Sequence, residues 1–284
     1  MCIIIIVFFK TGDGESDRRA CHDRGSWKKL RMNSMKKVIF ISTCILIFGS
    51  LTLLFAVDAK DIIRKSEDAV KGKTAISEVE IVIKTRKWTR SMVLQSWENR
   101  IKKKSFSEIT APQKDAGNRF LLIGKEMRQY IPGLKKDIKI SPSMMLQSWM
   151  GSDFTNDDIV KESSITEDYT HKLDGIRTVD GHECYRIILV PVKGAAVVWG
   201  KIIYYARKSD YLPVRQEFYN EHDVLKKVLT CSEFRLIHDR VIPTVYKMQT
   251  TGREDRYTLM KIRKIRFDQK IPDSVFSLQN LKRK

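Results

Sequence analysis

Ile76-Ser77-Glu78-Val79-Glu80-Ile81-Val82-Ile83-Lys84 places Val79, Ile81 and Ile83 on alternate positions, with Glu78, Glu80 and Lys84 between them. Only Val82 breaks the alternation. Successive side chains of a strand point to opposite faces, so a period of two gives one apolar and one polar face, whereas a helix would mix these residues around its surface. The stretch predicts a strand with one face buried. Just ahead of it the period is different. Ile62 and Ile63 recur as Ala69 and Val70 seven residues later, the spacing of one face of a short amphipathic helix over 61–71, with Gly72 as its terminator.

Beyond residue 84, β-rich runs follow at 91–97, 103–109, 119–123, 127–131 and 137–140, divided by the turn signals Ala111-Pro112, Gly117-Asn118 and Pro132-Gly133. Connections this short make antiparallel hairpins. The pattern breaks at 141–161. There Ser141-Pro142 suits a helix start, Met144, Met145, Trp149 and Met150 are large and apolar, and Gly151 is a stop. A second short helix is expected next, with Asp153 or Thr155 as its cap and Asp157 and Asp158 near its positive end. Strand-like runs resume after Tyr169, at 183–191, 197–207, 212–219, 225–236, 241–249 and 257–267. No helical stretch long enough to cross between parallel strands intervenes, which argues against a doubly wound α/β fold. The expected class is mainly β (α+β): one large antiparallel sheet, strongly curved or closed, with a helical insertion. No linker or internal repeat divides residues 60–284, so they read as one domain.

Composition sets outer limits. Of 284 residues, 42% are hydrophobic, the make-up of a folded chain, and the formal net charge is +19. Residues 1–59 hold nine of the Lys/Arg and five of the Asp/Glu, so most of the excess lies after them. Such a surface favours anionic partners: nucleic acid, lipid headgroups or an acidic protein. Location narrows that choice. Lys36 and Lys37 precede an apolar run from 38 to 57, and Val57-Asp58-Ala59 sets compact residues at positions minus three and minus one of a cut after Ala59. Residues 35–59 therefore read as a secretory signal peptide, with an uncleaved inner-membrane anchor as the alternative, since the run is longer than a usual signal core. Cys44 follows Thr43, a poor residue before a lipidated cysteine, and lipidation is discounted. Residues 1–34 read as an upstream extension, with translation starting at Met32 or Met35. Of the five cysteines only Cys184 and Cys231 lie beyond this segment. Export would permit a disulfide between them, but each sits in a strand-like run where cysteine acts as a small hydrophobe.

Catalytic signatures are weak. His182-Glu183-Cys184 lacks the converging partners that zinc needs, and no Gly-x-Ser-x-Gly elbow occurs. Residues 152–158 are rich in oxygen ligands but lack the glycine and distal glutamate of a calcium loop, and helix capping explains them more simply. No catalytic residue, metal or cofactor is expected. Basic residues interleaved with Trp88, Trp97 and Tyr130 would suit single-stranded nucleic acid. An exported chain rarely meets that ligand, so no nucleic acid is expected, and a cationic face toward solvent, anionic lipid or an acidic partner is the better reading. Met144, Met145, Trp149, Met150 and Phe154 form the most informative cluster. Methionine is flexible and polarizable and suits surfaces that accept apolar ligands of variable shape, although on composition alone a plug for one end of the core is simpler.

Several stretches resemble the LolA-like outer membrane lipoprotein-sorting proteins: Ser143-Met144-Met145-Leu146-Gln147-Ser148-Trp149-Met150-Gly151-Ser152-Asp153-Phe154-Thr155-Asn156-Asp157-Asp158, Glu167-Asp168-Tyr169-Thr170, Asp180-Gly181-His182, Val197-Val198-Trp199-Gly200-Lys201, Asp210-Tyr211-Leu212-Pro213-Val214 and Ile271-Pro272-Asp273-Ser274-Val275-Phe276. They occur in the family's order across nearly all of 60–284. The resemblance implies a curved antiparallel half-open β-barrel with a helical lid, LolA/LolB-like, whose apolar cavity carries the acyl chains of lipoproteins, or another lipid, across the periplasm. On that reading Met144, Met145, Trp149, Met150 and Phe154 are lid contacts, and Trp97 and Trp199 are wall candidates. The implied partners are an inner-membrane transporter or outer-membrane acceptor, and the chain is expected as a monomer. Relatives of this fold also include RseB/MucB-type periplasmic sensors that bind a regulatory membrane protein.

Overall fold

The computed structural model describes residues 58–161, 165–195 and 197–283. The signal segment, apart from Asp58 and Ala59, and the upstream extension lie outside the described residues. Helix α1 (Ala59–Val70) opens the described chain, with the Asp58 side chain accepting from the Lys60 N–H as its N-cap. The cut expected after Ala59 thus falls within the first turn of this helix, where Ala59 itself is buried.

Thirteen strands follow: β1 (Thr74–Lys84), β2 (Thr89–Asn99), β3 (Lys104–Ala111), β4 (Arg119–Ile123), β5 (Glu126–Ile131), β6 (Lys136–Lys139), β7 (Tyr169–Val179), β8 (His182–Pro191), β9 (Lys201–Arg207), β10 (Pro213–Tyr219), β11 (Leu225–Ile237), β12 (Arg240–Thr250) and β13 (Tyr257–Phe267). They make a single sheet in the order β6-β5-β4-β3-β2-β1-β13-β12-β11-β10-β9-β8-β7. The chain starts at the centre, meanders out to β6, crosses through residues 140–168 to β7 at the opposite edge, and meanders back until β13 pairs with β1. Met260 lies opposite Ile81 in that closing antiparallel ladder. Short helices α2 (Asn156–Lys161) and α3 (Leu278–Leu281) complete the elements. No helix among the described residues is long and apolar enough to cross a membrane.

Strand alternation gives the sheet two apolar faces. On the inner face, Ile81, Ile83, Met92, Leu94, Ile109 and Phe120 of β1–β4 are buried in one cluster, and Ile187, Leu189, Ile202, Tyr204 and Met248 of β8–β12 in another. Helix α1 lies on the second. Its buried side is Ile62, Ile63, Ser66 and Glu67. The expected repeat at Ala69 and Val70 is only half-buried, because the helix is held one turn earlier, where Ser66 Oγ and the Tyr204 hydroxyl share a buried hydrogen bond of 2.8 Å. Gly72 then turns the chain into β1 where a Cβ would stand 2.8 Å from the Thr74 carbonyl oxygen.

The outer face carries a separate cluster of Phe106, Leu121, Ile271, Phe276 and Leu281, in which the C-terminal tail lies across β3 and β4. Arg119 fastens that tail, pairing with Glu108 at 2.9 Å and donating to the Leu281 carbonyl. Cys184 and Cys231 are both buried thiols, and the disulfide weighed above is not formed. Burial pushes the Cys184 thiol up to about 11, which leaves it a packing group with little thiolate at neutral pH.

Candidate functional site

Residues 141–161, the crossing between the sheet's two edges, lie over the inner face. They form less helix than the sequence predicts: 3-10 turns at Pro142–Met144 and Trp149–Gly151, then α2. The segment is nevertheless a compact unit with its own bonds. Trp149 N–H donates to the Phe154 carbonyl at 2.8 Å, Asn156 N–H to Gln147 at 3.0 Å and Asp157 N–H to Met145 at 2.9 Å. Thr155 is the cap of α2, exchanging bonds with Asp158: Thr155 N–H donates to Asp158 Oδ2 at 2.8 Å and Asp158 N–H to Thr155 Oγ1 at 3.1 Å.

The underside of this lid is apolar. Trp149, 4% exposed, stacks obliquely on Phe120 of β4 with ring centroids 5.3 Å apart. Met144, Met145 and Met150 pack half-buried against the same cluster, while Phe154, 7% exposed, enters the cluster of β8–β12. Trp199, at the entry to β9, packs on Phe218 at 5.3 Å and donates its indole N–H to Asp158 at 3.3 Å. Between Phe120 and Trp199 the lid spans β4 to the flank of β9. Laid flat, eight strand steps of about 4.8 Å would separate these by roughly 38 Å, beyond the reach of a ten-residue segment wound partly into helical turns of about 1.5–2 Å per residue. The sheet must curl around its lid.

Trp97 is a correction. It lies opposite Ile76 across the β1–β2 ladder, on the outer face, with its ring 5.8 Å from Phe106 and under the C-terminal tail. Odd positions of β2 beyond Arg90 turn away from the lid, while Met92 and Leu94 turn toward it. The wall that the sequence assigned to Trp97 is made instead by Phe120, Leu94 and Met92.

A polar latch holds the lid down, and the sequence reading missed it. The carboxylate of Asp153, 2% exposed, accepts from Arg256 Nε at 2.9 Å, from Thr258 Oγ1 at 2.8 Å and from Thr250 Oγ1 at 3.2 Å. Lys227 of β11 donates to the Asp153 carbonyl at 2.6 Å and pairs with Asp158 at 3.2 Å. Arg90 reaches the Met150 carbonyl at 3.5 Å from the other side. The signal was present as Arg256 and Thr258 after a turn, but partners about a hundred residues apart have no local pattern. One polar atom beneath the lid is unpaired among the described residues: the buried Trp149 indole N–H. At the lid, Trp149, Phe154 and the half-buried Met144, Met145 and Met150 lie directly on the inner-face clusters. A hollow of about 260 Å³ bounded by Leu121, Ile123, Glu126, Arg128 and Leu278 lies on the other face, beside the tail.

A family model described as "Uncharacterized protein" matches residues 102–283, all of the chain from the β2–β3 turn to the tail. The chain belongs to this family. Among curated proteins none matches the sequence. Solved structures supply the fold. A domain from Vibrio parahaemolyticus named for outer membrane lipoprotein sorting is similar with a TM-score of 0.71 and 20% identity, over 79% of this chain and 98% of its own. A DUF1329 family protein from Desulfovibrio piger gives 0.73 and 23%, over 78% and 97%. A LolA superfamily protein from Nitrosomonas europaea gives 0.68 and 20%, over 79% and 100%. At these identities the likeness establishes the LolA-like fold, the open antiparallel sheet with few helices that the sequence motifs implied.

Proposed function

We propose that this chain is a periplasmic carrier that shelters lipoprotein acyl chains, or another lipid, between the inner face of its sheet and the lid of residues 141–161, and delivers them toward the outer membrane. The observation that carries the reading is a self-bonded lid with an apolar underside, closed on an apolar sheet by a few polar contacts at its margin. The LolA-like fold supports it, as does the similarity to a Vibrio parahaemolyticus domain named for outer membrane lipoprotein sorting. Delivery outside the cytoplasm rests on the sequence of residues 35–59.

Magnitudes make the exchange feasible. Burying an aromatic or methionine side chain is worth about 1.5–3 kcal/mol, so Trp149 and Phe154 together hold the lid down with roughly 3–6 kcal/mol. An acyl chain of roughly 14 methylenes gains about 11 kcal/mol on leaving water. A ligand can therefore replace the lid's aromatics on the sheet, while those aromatics, still attached to the lid, cover it from above. No bond is made or broken. Release needs only an acceptor that binds the chain more tightly.

Native mass spectrometry of protein isolated from its own envelope is expected to show bound lipid, and the stripped protein is expected to take up a fluorescent fatty acid. Protein that is empty as isolated and also takes up no probe would sink the carrier reading.

A further inference from the structure

The lid-bearing end of the sheet is asymmetric in charge. Three connections lie there side by side on the β1–β6 half: residues 85–88, 112–118 and 132–135. Arg90, next to the first, pairs with Asp115 of the second at 2.7 Å, and a Cβ on Gly117 would stand 3.4 Å from Pro132 of the third. This rim exposes Arg86, Lys87, Lys114, Lys135 and Lys136, and none of these pairs with a carboxylate among the described residues. Its own Asp115 is taken by Arg90. Large apolar side chains stand out between the charges: Trp88 is 48% exposed, Leu134 60% and, on the adjoining lid, Leu146 64%. Trp88 is held in place, since Thr85 N–H and Oγ both donate to its carbonyl, at 2.9 and 3.0 Å, and its own N–H donates to Thr85 Oγ1 at 3.1 Å.

At the other end of the sheet the cations of the 100–103 turn are paired, although Ile101 between them is 71% exposed. There Arg100 pairs with Asp68 at 2.6 Å, Lys102 with Asp273 at 2.7 Å and Lys103 with Glu167 at 3.4 Å. On the remaining lid-end turns Glu221, Asp223, Glu254 and Asp255 dilute the charge. On this half-rim five exposed cations without a carboxylate partner thus stand together with a tryptophan of fixed backbone and two leucines, whereas at the other end Lys73 and Lys270, unpaired among the described residues, stand beside paired cations.

We propose that this half-rim docks on an anionic bilayer, with Trp88 at headgroup level and Arg86, Lys87, Lys114, Lys135 and Lys136 on lipid phosphates. Unpaired cations match an anionic surface, tryptophan suits the interface between headgroup and hydrocarbon, and leucines enter the acyl boundary, a combination that neither a nucleic acid nor an acidic protein face requires. The assignment stands without the carrier reading. If both hold, the lid opens next to the membrane.

Residues 38–57 are apolar enough to hold the full chain on any bilayer, so the readout must be local to the tip. Vesicles of phosphatidylglycerol with brominated phosphatidylcholine are titrated onto the full chain, and the difference in fluorescence between wild type and Trp88→Phe reports on Trp88 alone. Quenching of that difference is expected on anionic vesicles, with loss in high salt. In Arg86→Ser/Lys87→Ser, the ratio of quenched to unquenched Trp88 at saturating lipid is expected to fall roughly thirty-fold, the loss of two surface cations. Equal quenching on brominated phosphatidylcholine alone, or the same quenched fraction in the charge variant, would overturn the proposal. An unquenched Trp88 would also overturn it, leaving an acidic protein as the occupant.

Discussion

His171, on the exposed edge strand β7, is half-buried with Nε2 placed 2.9 Å from the Ile165 carbonyl oxygen. Desolvation, helped by the nearby Lys60 ammonium, lowers its pKa below the ordinary imidazole value despite that hydrogen bond and Asp58. The unfolded chain therefore binds a proton that the folded chain refuses, so this contribution to stability is full above about pH 6.5 and is lost as pH falls through the lowered folded value. Urea midpoints are expected to fall between about pH 7.5 and about pH 5.5, and the fall is expected to shrink in His171→Gln. An equal slope in the variant would assign the pH dependence elsewhere. Single residues also show where sequence reading stops. Val79, Ile81 and Ile83 announced which face of β1 is buried, because the other face is polar. Trp97 gave no such signal, since both faces of β2 are covered, one by the lid and the other by the tail, and an apolar residue there is buried in either phase.

Elements were legible where pattern is local. The strands from β2 to β6 and from β8 to β13 fall near their expected places because alternation and turn residues mark them directly. Of the two helices expected at 141–161, the second stands as α2 with Thr155 as its cap, but the first does not form: Gly151 and a Met150 at φ 53° break that stretch into short turns tied by bonds that jump along the chain. The tail helix α3 is too short to show a period, and its role depends on Arg119, 162 residues earlier along the chain. The Asp153 latch is likewise invisible locally, and its removal is informative. Asp153→Ala would leave the fully buried Thr258 hydroxyl without its acceptor, while Arg256, 27% exposed, can turn to water. The expected cost is about 2–3 kcal/mol, less than for a fully buried ion pair. Hydrogen exchange should localise it, with faster exchange at residues 149–161 and unchanged protection in β8–β10. Uniform loss of protection would mean that the lid is part of the core and not a separable cover.

At the scale of the whole molecule, the topology makes the lid a bridge. The chain reaches one sheet edge at β6 and resumes at the other with β7, so the crossing segment must traverse the open side of the sheet, over its inner face. A cover built this way is tethered at both ends and can rise only by breaking its marginal bonds, which is what a carrier needs if cargo is to enter without unfolding the sheet. Cross-linking tests this directly. Asp153 N–H lies 2.9 Å from Thr258 Oγ1, so Asp153→Cys/Thr258→Cys places two thiols across the lid margin, clear of the buried Cys184 and Cys231. Both redox forms of this variant lack the latch carboxylate, so they differ only in whether the lid is tied. Fluorescent fatty acid is expected to enter the reduced form at least as readily as wild type and to be excluded from the oxidised form, with uptake restored by reductant. Uptake that is the same in both forms would show that the lid does not gate the inner face.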